Sequence, residues 1–167
     1  MPLVVLVTFS CRTGQTETLA LSHAVGAVQG RALIRLRRLD DSAVPGIDDS
    51  SERRRMVKEY VAPTEADLMG ADAIAIAAAP GTTPSTAEWA SYLALIARLG
   101  SEGKLAGKVA AIVATGDAST VTAMSDALLA AGLVVVPPAA GASDAVPAAA
   151  TAHGLRVATV ARALKNM

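Results

Sequence analysis

Aromatic side chains are almost missing from this sequence, which has one tryptophan, one phenylalanine and two tyrosines among 167 residues. Its core must be filled mainly by Ala, Val and Leu, which lets helices approach a sheet closely but leaves few rings to stack on a flat ligand. Cysteine occurs once, which excludes an intramolecular disulfide and makes a reducing cytoplasm the expected compartment. Net charge is missing too: 15 basic residues balance 15 acidic ones, so neither nucleic acid nor an anionic membrane is expected as an electrostatic partner. The Ala-rich tracts are broken by Pro, Gly, Asp or Thr before they reach the length of a membrane span. The apolar run after Met1 has no basic segment ahead of it and reads as a strand rather than a leader. Residues 1–167 are expected to form a single domain.

What is present begins with Leu3-Val4-Val5-Leu6-Val7, apolar without alternation, as in a strand covered on both faces. Leu19, Ala20, His23, Ala24 and Ala27 then recur at helical spacing. Between them lies Ser10-Cys11-Arg12-Thr13-Gly14-Gln15-Thr16. The first N–H groups of a helix lack intrahelical partners and carry partial positive charge, so this junction suits a phosphate monoester. Ser10, Thr13 and Thr16 would add hydroxyl donors, Gly14 would allow close backbone approach, and Arg12 would supply a countercharge at the rim. The loop lacks the lysine of a triphosphate P-loop and the G-x-G-x-x-G of a dinucleotide site. The alternative is an ordinary N-cap region, where Ser and Thr are favoured without any ligand.

Further along, Gly26 and Gly30 offer helix stops, and residues 32–37 form a second, partly alternating strand. Residues 40–63 read as a surface connection with a short helix, in which Arg53-Arg54-Arg55 is a solvated face. Thr64-x-x-Asp67 caps a short helix ending at Gly70. Residues 73–79 form a buried third strand, stopped by Pro80-Gly81-Thr82-Thr83-Pro84-Ser85. Ser85-Thr86-Ala87-Glu88 has capping-box spacing and opens a helix to about Leu99 with Trp89, Leu93, Ile96 and Ala97 on one face. A fourth strand, residues 109–114, runs into Thr115-Gly116-Asp117-Ala118-Ser119 and a helix over residues 120–131. A short strand, residues 133–136, precedes the last helix, residues 148–165, in which Gly154 is a weak point. Strands alternating with helices predict a parallel α/β sheet with helices on both faces. Ligands in such a sheet sit beyond the carboxyl ends of the strands where the strand order reverses. The loops after the first, third and fourth strands are therefore expected to converge.

With these residues in place, the chain resembles the flavodoxin-like proteins, and among them the WrbA-type NAD(P)H:quinone oxidoreductases, the tryptophan-repressor-binding-protein family. Ser10-x-Arg12-Thr13-Gly14-Gln15-Thr16 is similar to the family loop that holds the phosphate of FMN. Residues 65–74 and 105–110 resemble the segments entering the third and fourth strands, and residues 152–158 the closing helix. The resemblance implies a three-layer sandwich with a five-stranded parallel sheet in the order 2-1-3-4-5, and FMN as cofactor with NAD(P)H as co-substrate. It also implies a quinone-like small-molecule acceptor and a homodimer or homotetramer. The implied cofactor-binding residues are Ser10, Arg12, Thr13, Gly14, Gln15 and Thr16 in the first loop, Pro80, Gly81, Thr82, Thr83 and Ser85 in the second, and Thr115, Gly116 and Asp117 in the third. No catalytic side chain or metal ligand is implied, because the flavin is the reactive group.

The chain departs from the family after the third strand, where Gly81-Thr82-Thr83-Pro84 replaces a segment with an arginine, an aromatic and a second glycine. After the fourth strand Gly116-Asp117-Ala118-Ser119 replaces a paired glycine and a glutamate. Two further readings stand beside the oxidoreductase. One is a one-electron flavodoxin, against which zero net charge and scarce rings count. The other is a flavodoxin-like domain with weak or lost FMN binding that serves as a non-enzymatic binding or scaffold module. Cys11 is assigned to a variable loop position, with redox sensing as the alternative. His23 and His153 are assigned to packing or surface, and Trp89 to the core, with the flavin pocket or a subunit contact as its alternative. Asp117 either caps the next helix or meets the ring.

Overall fold

The computed structural model describes residues 1–10, 14–42, 44–47, 49–114, 118–138 and 147–167. Arg12, Thr13, Thr115, Gly116 and Asp117 lie outside the described residues, as does Cys11. The elements follow in the order β1 (Leu3–Phe9), α1 (Gln15–Gln29), β2 (Ala32–Arg38), α2 (Ser51–Glu59), α3 (Glu65–Gly70), β3 (Ala73–Ala78), α4 (Ala87–Ser101), β4 (Val109–Ala114), α5 (Ala118–Ala130), β5 (Val134–Val136) and α6 (Pro147–Lys165). All pairings are parallel and the sheet order is β2-β1-β3-β4-β5, as expected from the sequence. Among the described residues no helix is long and apolar enough to cross a membrane.

Two apolar layers sandwich the sheet. Leu3, Val5, Val7 and Phe9 of β1 meet α1, α6 and Met56 of α2 on one face, while Leu6, Ile74 and Ile76 meet α3, α4 and α5 on the other. All six residues of β3 are buried, which explains its Ala/Ile composition without alternation. The alanines also set how closely the helices lie. Gly26, expected as a stop, is internal to α1, and Gly154 is the point at which α6 crosses it. A Cβ on Gly26 would lie 1.8 Å from the Thr151 carbonyl oxygen, and one on Gly154 would lie 2.0 Å from that of His23. The two backbones touch here, and neither position has room for a side chain.

The arginine triplet is not simply a solvated face. Arg53 and Arg38 clamp the buried Asp41 carboxylate, with Nη2 atoms 2.7 and 2.5 Å from its oxygens. Arg55 donates to Glu17 in the first turn of α1 at 2.6 Å, and only Arg54, paired with Asp49 at 3.0 Å, faces outward throughout. Two of the three therefore pin α2 against the carboxyl end of β2 and the start of α1. Thr64 and Asp67 form the expected capping box at α3.

Candidate functional site

β1 sits between β2 and β3, so the chain crosses to one side of it and then to the other. Phe9 is in register with Ala77, and the chain leaves the sheet at Ser10 and Ala79 side by side, turning into α1 on one face and α4 on the other. Parting neighbours leave a crevice at this point. It holds a cavity of about 280 Å³, lined by Ser10 and Thr16 from the β1 exit and by Ala79, Pro80, Gly81 and Thr82 from the β3 exit. Thr86, Glu88 and Trp89 of α4 complete its wall. Ser10, Thr16, Thr82 and Trp89 are buried.

The start of α1 is set by a glycine. Gly14 is the N-cap at φ 82°, a left-handed conformation that costs an L-residue roughly 1–2 kcal/mol, and it has no side chain to satisfy the first-turn amides. Its carbonyl accepts from the Thr18 amide at 3.0 Å, closing the first turn. Gln15 is exposed, whereas Thr16 turns into the cavity. Glu17, also in the first turn, is absent from the cavity wall and points to α2, where it accepts from Arg55 and from the Tyr60 hydroxyl at 2.7 Å. The Arg55 hydrogen bond chiefly holds this carboxyl below its ordinary range. Burial, with the Glu17 hydrogen bond after it, pushes the Tyr60 phenol up to about 12.

The β3 exit divides its polar residues. Thr82 faces the cavity, but Thr83 and Ser85 are exposed and close the turn on itself. The Thr83 amide donates to Thr86 Oγ1 at 2.9 Å, and the Thr83 and Ser85 hydroxyls lie 3.1 Å apart. Thr86 rather than Ser85 is the N-cap of α4. Glu88, expected to reach back as a capping-box partner, accepts the Ser10 hydroxyl at 3.2 Å. Glu88 is thus the site residue that sequence reasoning missed. Its signal was present in the S-x-x-E spacing, but that pattern has a local explanation and gives no hint of a partner 78 positions away. Trp89 is fully buried against Tyr92, as expected of a core residue, and also walls the cavity.

Of the expected binding residues, the structure brings Ser10, Thr16, Pro80, Gly81 and Thr82 to one cavity, with Gly14 at the helix start beside them. Gln15, Thr83 and Ser85 stand outside it.

No protein-family model and no curated protein matches the sequence. Solved structures do. A flavodoxin, WrbA-like protein from Agrobacterium tumefaciens matches with a TM-score of 0.65 at 19% identity, over 96% of this chain and 98% of that one. A flavodoxin from the domain Archaea matches with a TM-score of 0.63 at 12% identity, over 96% and 99%. A flavone reductase matches with a TM-score of 0.63 at 13% identity, covering 98% of this chain and 64% of that one. At these identities the likeness is one of architecture, and with the strand order β2-β1-β3-β4-β5 it establishes that the chain has the flavodoxin-like fold.

Proposed function

We propose that this chain binds a flavin, FMN, across the carboxyl ends of β1 and β3, and passes electrons from NAD(P)H to a quinone or similar small-molecule acceptor. The observation that carries the reading is the convergence of two separate loops, through Ser10 and Thr16 on one side and Gly81 and Thr82 on the other, at the reversal of strand order. The helix start at Gly14 and hydroxyls on two sides fit the phosphate and ribityl portions of such a molecule. Ser10, Thr16 and the first-turn amides of α1 would hold that end, and the backbone of Gly81-Thr82 would face the ring. Trp89 and Ala79 supply apolar wall that excludes water. The flavin, when bound, supplies the hydride and electron chemistry. The NAD(P)H and quinone specificity, the WrbA-type assignment and a homodimer or homotetramer extend the family resemblance, and a cytoplasmic location extends the reading of the single cysteine.

Two observations favour a second reading. The Glu88 carboxylate occupies the wall next to Ser10, and the turn after β3 folds Thr83 and Ser85 onto themselves. Both features fit a domain with weak or lost FMN binding that acts as a non-enzymatic binding module. An absorbance spectrum of the purified protein, with and without added FMN, separates the two. Flavin bands that co-purify or persist through desalting support the first, and NAD(P)H oxidation by the loaded protein supports the oxidoreductase. Protein that retains no flavin supports the second.

A further inference from the structure

The walls that β1 and α1 give to the crevice are joined behind it by one side chain. Tyr60 is the C-cap residue of α2, its amide donating to the Met56 carbonyl at 3.0 Å. The next residue is tied to the end of β2, since the Arg38 amide donates to the Val61 carbonyl at 3.1 Å. Backbone bonds on both sides therefore fix where the Tyr60 ring stands. That ring meets Phe9, the last residue of β1, edge-on, with centroids 5.0 Å apart and planes 89° apart. Its hydroxyl donates to Glu17 Oε1 at 2.7 Å, in the first turn of α1. Tyr60 thus touches the residue just before Ser10 and the residue just after Thr16, while itself standing outside the cavity wall. Neighbouring side chains on a helix point about 100° apart around its axis, so holding Glu17 against α2 also turns Thr16 into the crevice. Arg55 donates to the same carboxylate at 2.6 Å, and Tyr60 adds the link to β1. A loop whose two ends are already held loses less freedom when a ligand orders it, and the ligand is bound more tightly for that reason.

We infer that Tyr60 is a positioning residue for the ligand: by tying Phe9 to Glu17 it sets the exit of β1 and the first turn of α1 in the arrangement that receives the phosphate end. The inference rests on the flavin reading for the identity of the ligand, whereas the tie between the two ends of the loop is a property of the fold and is tested without any flavin.

The experiment uses Tyr60→Phe, which keeps the ring on Phe9 and removes the hydrogen bond to Glu17. Leu99→Val, in the apolar layer on the other face of the sheet, controls for a general loss of stability. FMN and riboflavin are titrated into wild type and both variants by flavin fluorescence, and amide exchange is followed by NMR without ligand. Tyr60→Phe is expected to weaken FMN roughly tenfold, the lower end for a hydrogen bond to a charged group, while riboflavin, with no phosphate to place, changes less than about twofold. Leu99→Val should move neither. The Thr18 amide, which donates to the Gly14 carbonyl and closes the first turn, should exchange faster in Tyr60→Phe, with the Val25 amide further along α1 unchanged. A residue that merely packs would not confine its effect to the first turn and to the phosphorylated flavin. FMN and riboflavin weakening together in Tyr60→Phe, or neither weakening, overturns the inference, as does an unchanged Thr18 exchange rate. If wild type binds neither flavin, the flavin reading fails, and the Thr18 exchange alone decides whether Tyr60 positions the start of α1.

Discussion

The ring of His23 meets the ring of His153 edge-on, with centroids 5.3 Å apart and planes 85° apart, inside the contact between α1 and α6. His153 Nε2 lies 3.0 Å from the Val136 carbonyl oxygen, but neither nitrogen of His23 has a hydrogen-bond partner among the described residues. Burial, reinforced by the charge of His153 when protonated, lowers the pKa of His23 from 6.5 to about 3. Burial also lowers His153.

These directions fix the sign of a pH effect. Between pH 6.5 and about 3 the unfolded chain binds a proton at His23 that the folded chain refuses, so this contribution to stability is full above 6.5 and declines as the pH falls. The slope is about 1.4 kcal/mol per pH unit for one such group. His23→Phe, which keeps a ring against His153, should flatten the loss between pH 6.5 and 4 in urea melts. An unchanged slope would show that His23 takes up its proton in the folded state.

The glycine crossing makes a second prediction. Ala at position 26 or 154 would place a methyl group about 2 Å from a carbonyl oxygen of the facing helix, so the helices must separate and open the core beneath them. Either Gly26→Ala or Gly154→Ala should cost about 3 kcal/mol in denaturant melts, the upper range for overpacking. This runs against the gain that Gly→Ala gives in an exposed helix. A variant as stable as wild type would mean that the crossing is looser than described.

Asp41 provides a third. Burial alone would raise its carboxyl, but the guanidiniums of Arg53 and Arg38 outweigh burial and hold it below 3.8. Its contribution to stability is therefore present above about 3.8 and lost as the pH falls through the lowered folded value. Asp41→Asn leaves Arg38, only 5% exposed, beside a neutral amide, and should cost about 3 kcal/mol at pH 7. The deficit should shrink in acid as wild-type Asp41 itself protonates. A deficit independent of pH would point to lost shape rather than lost charge.

These residues also show where sequence reasoning stops. The unbroken apolar strands, the capping box at Thr64 and the strand-loop-helix passage around Gly14 are local patterns, and each was legible because neighbours in sequence decide it. Gly26 is a helix crossing and not the expected stop, because a stop and a crossing use the same residue and only the facing backbone distinguishes them. Arg53 and Arg55 looked solvated because their partners, Asp41 and Glu17, lie 12 and 38 positions away. Glu88 satisfied a local rule by spacing while the fold used its carboxylate elsewhere. In each case a contact distant in sequence decided between two locally acceptable roles.

A fourth prediction concerns the cavity itself. Trp89 is the only tryptophan of the chain, is fully buried, and forms part of the cavity wall, so its emission reports on that site without competing signals. FMN or riboflavin seated there should quench the emission saturably, with the same midpoint as equilibrium dialysis. Trp89→Phe removes the signal and leaves a smaller ring, which should lower stability by about 1–3 kcal/mol while dialysis still detects bound flavin. The indole is wall and not donor in this arrangement, so flavin affinity should fall far less in Trp89→Phe than in Gly14→Val, which forces a branched side chain into a left-handed N-cap. Flavin retained on dialysis while the Trp89 emission of wild type stays constant would place the ligand away from the β1–β3 crevice and overturn the site assignment.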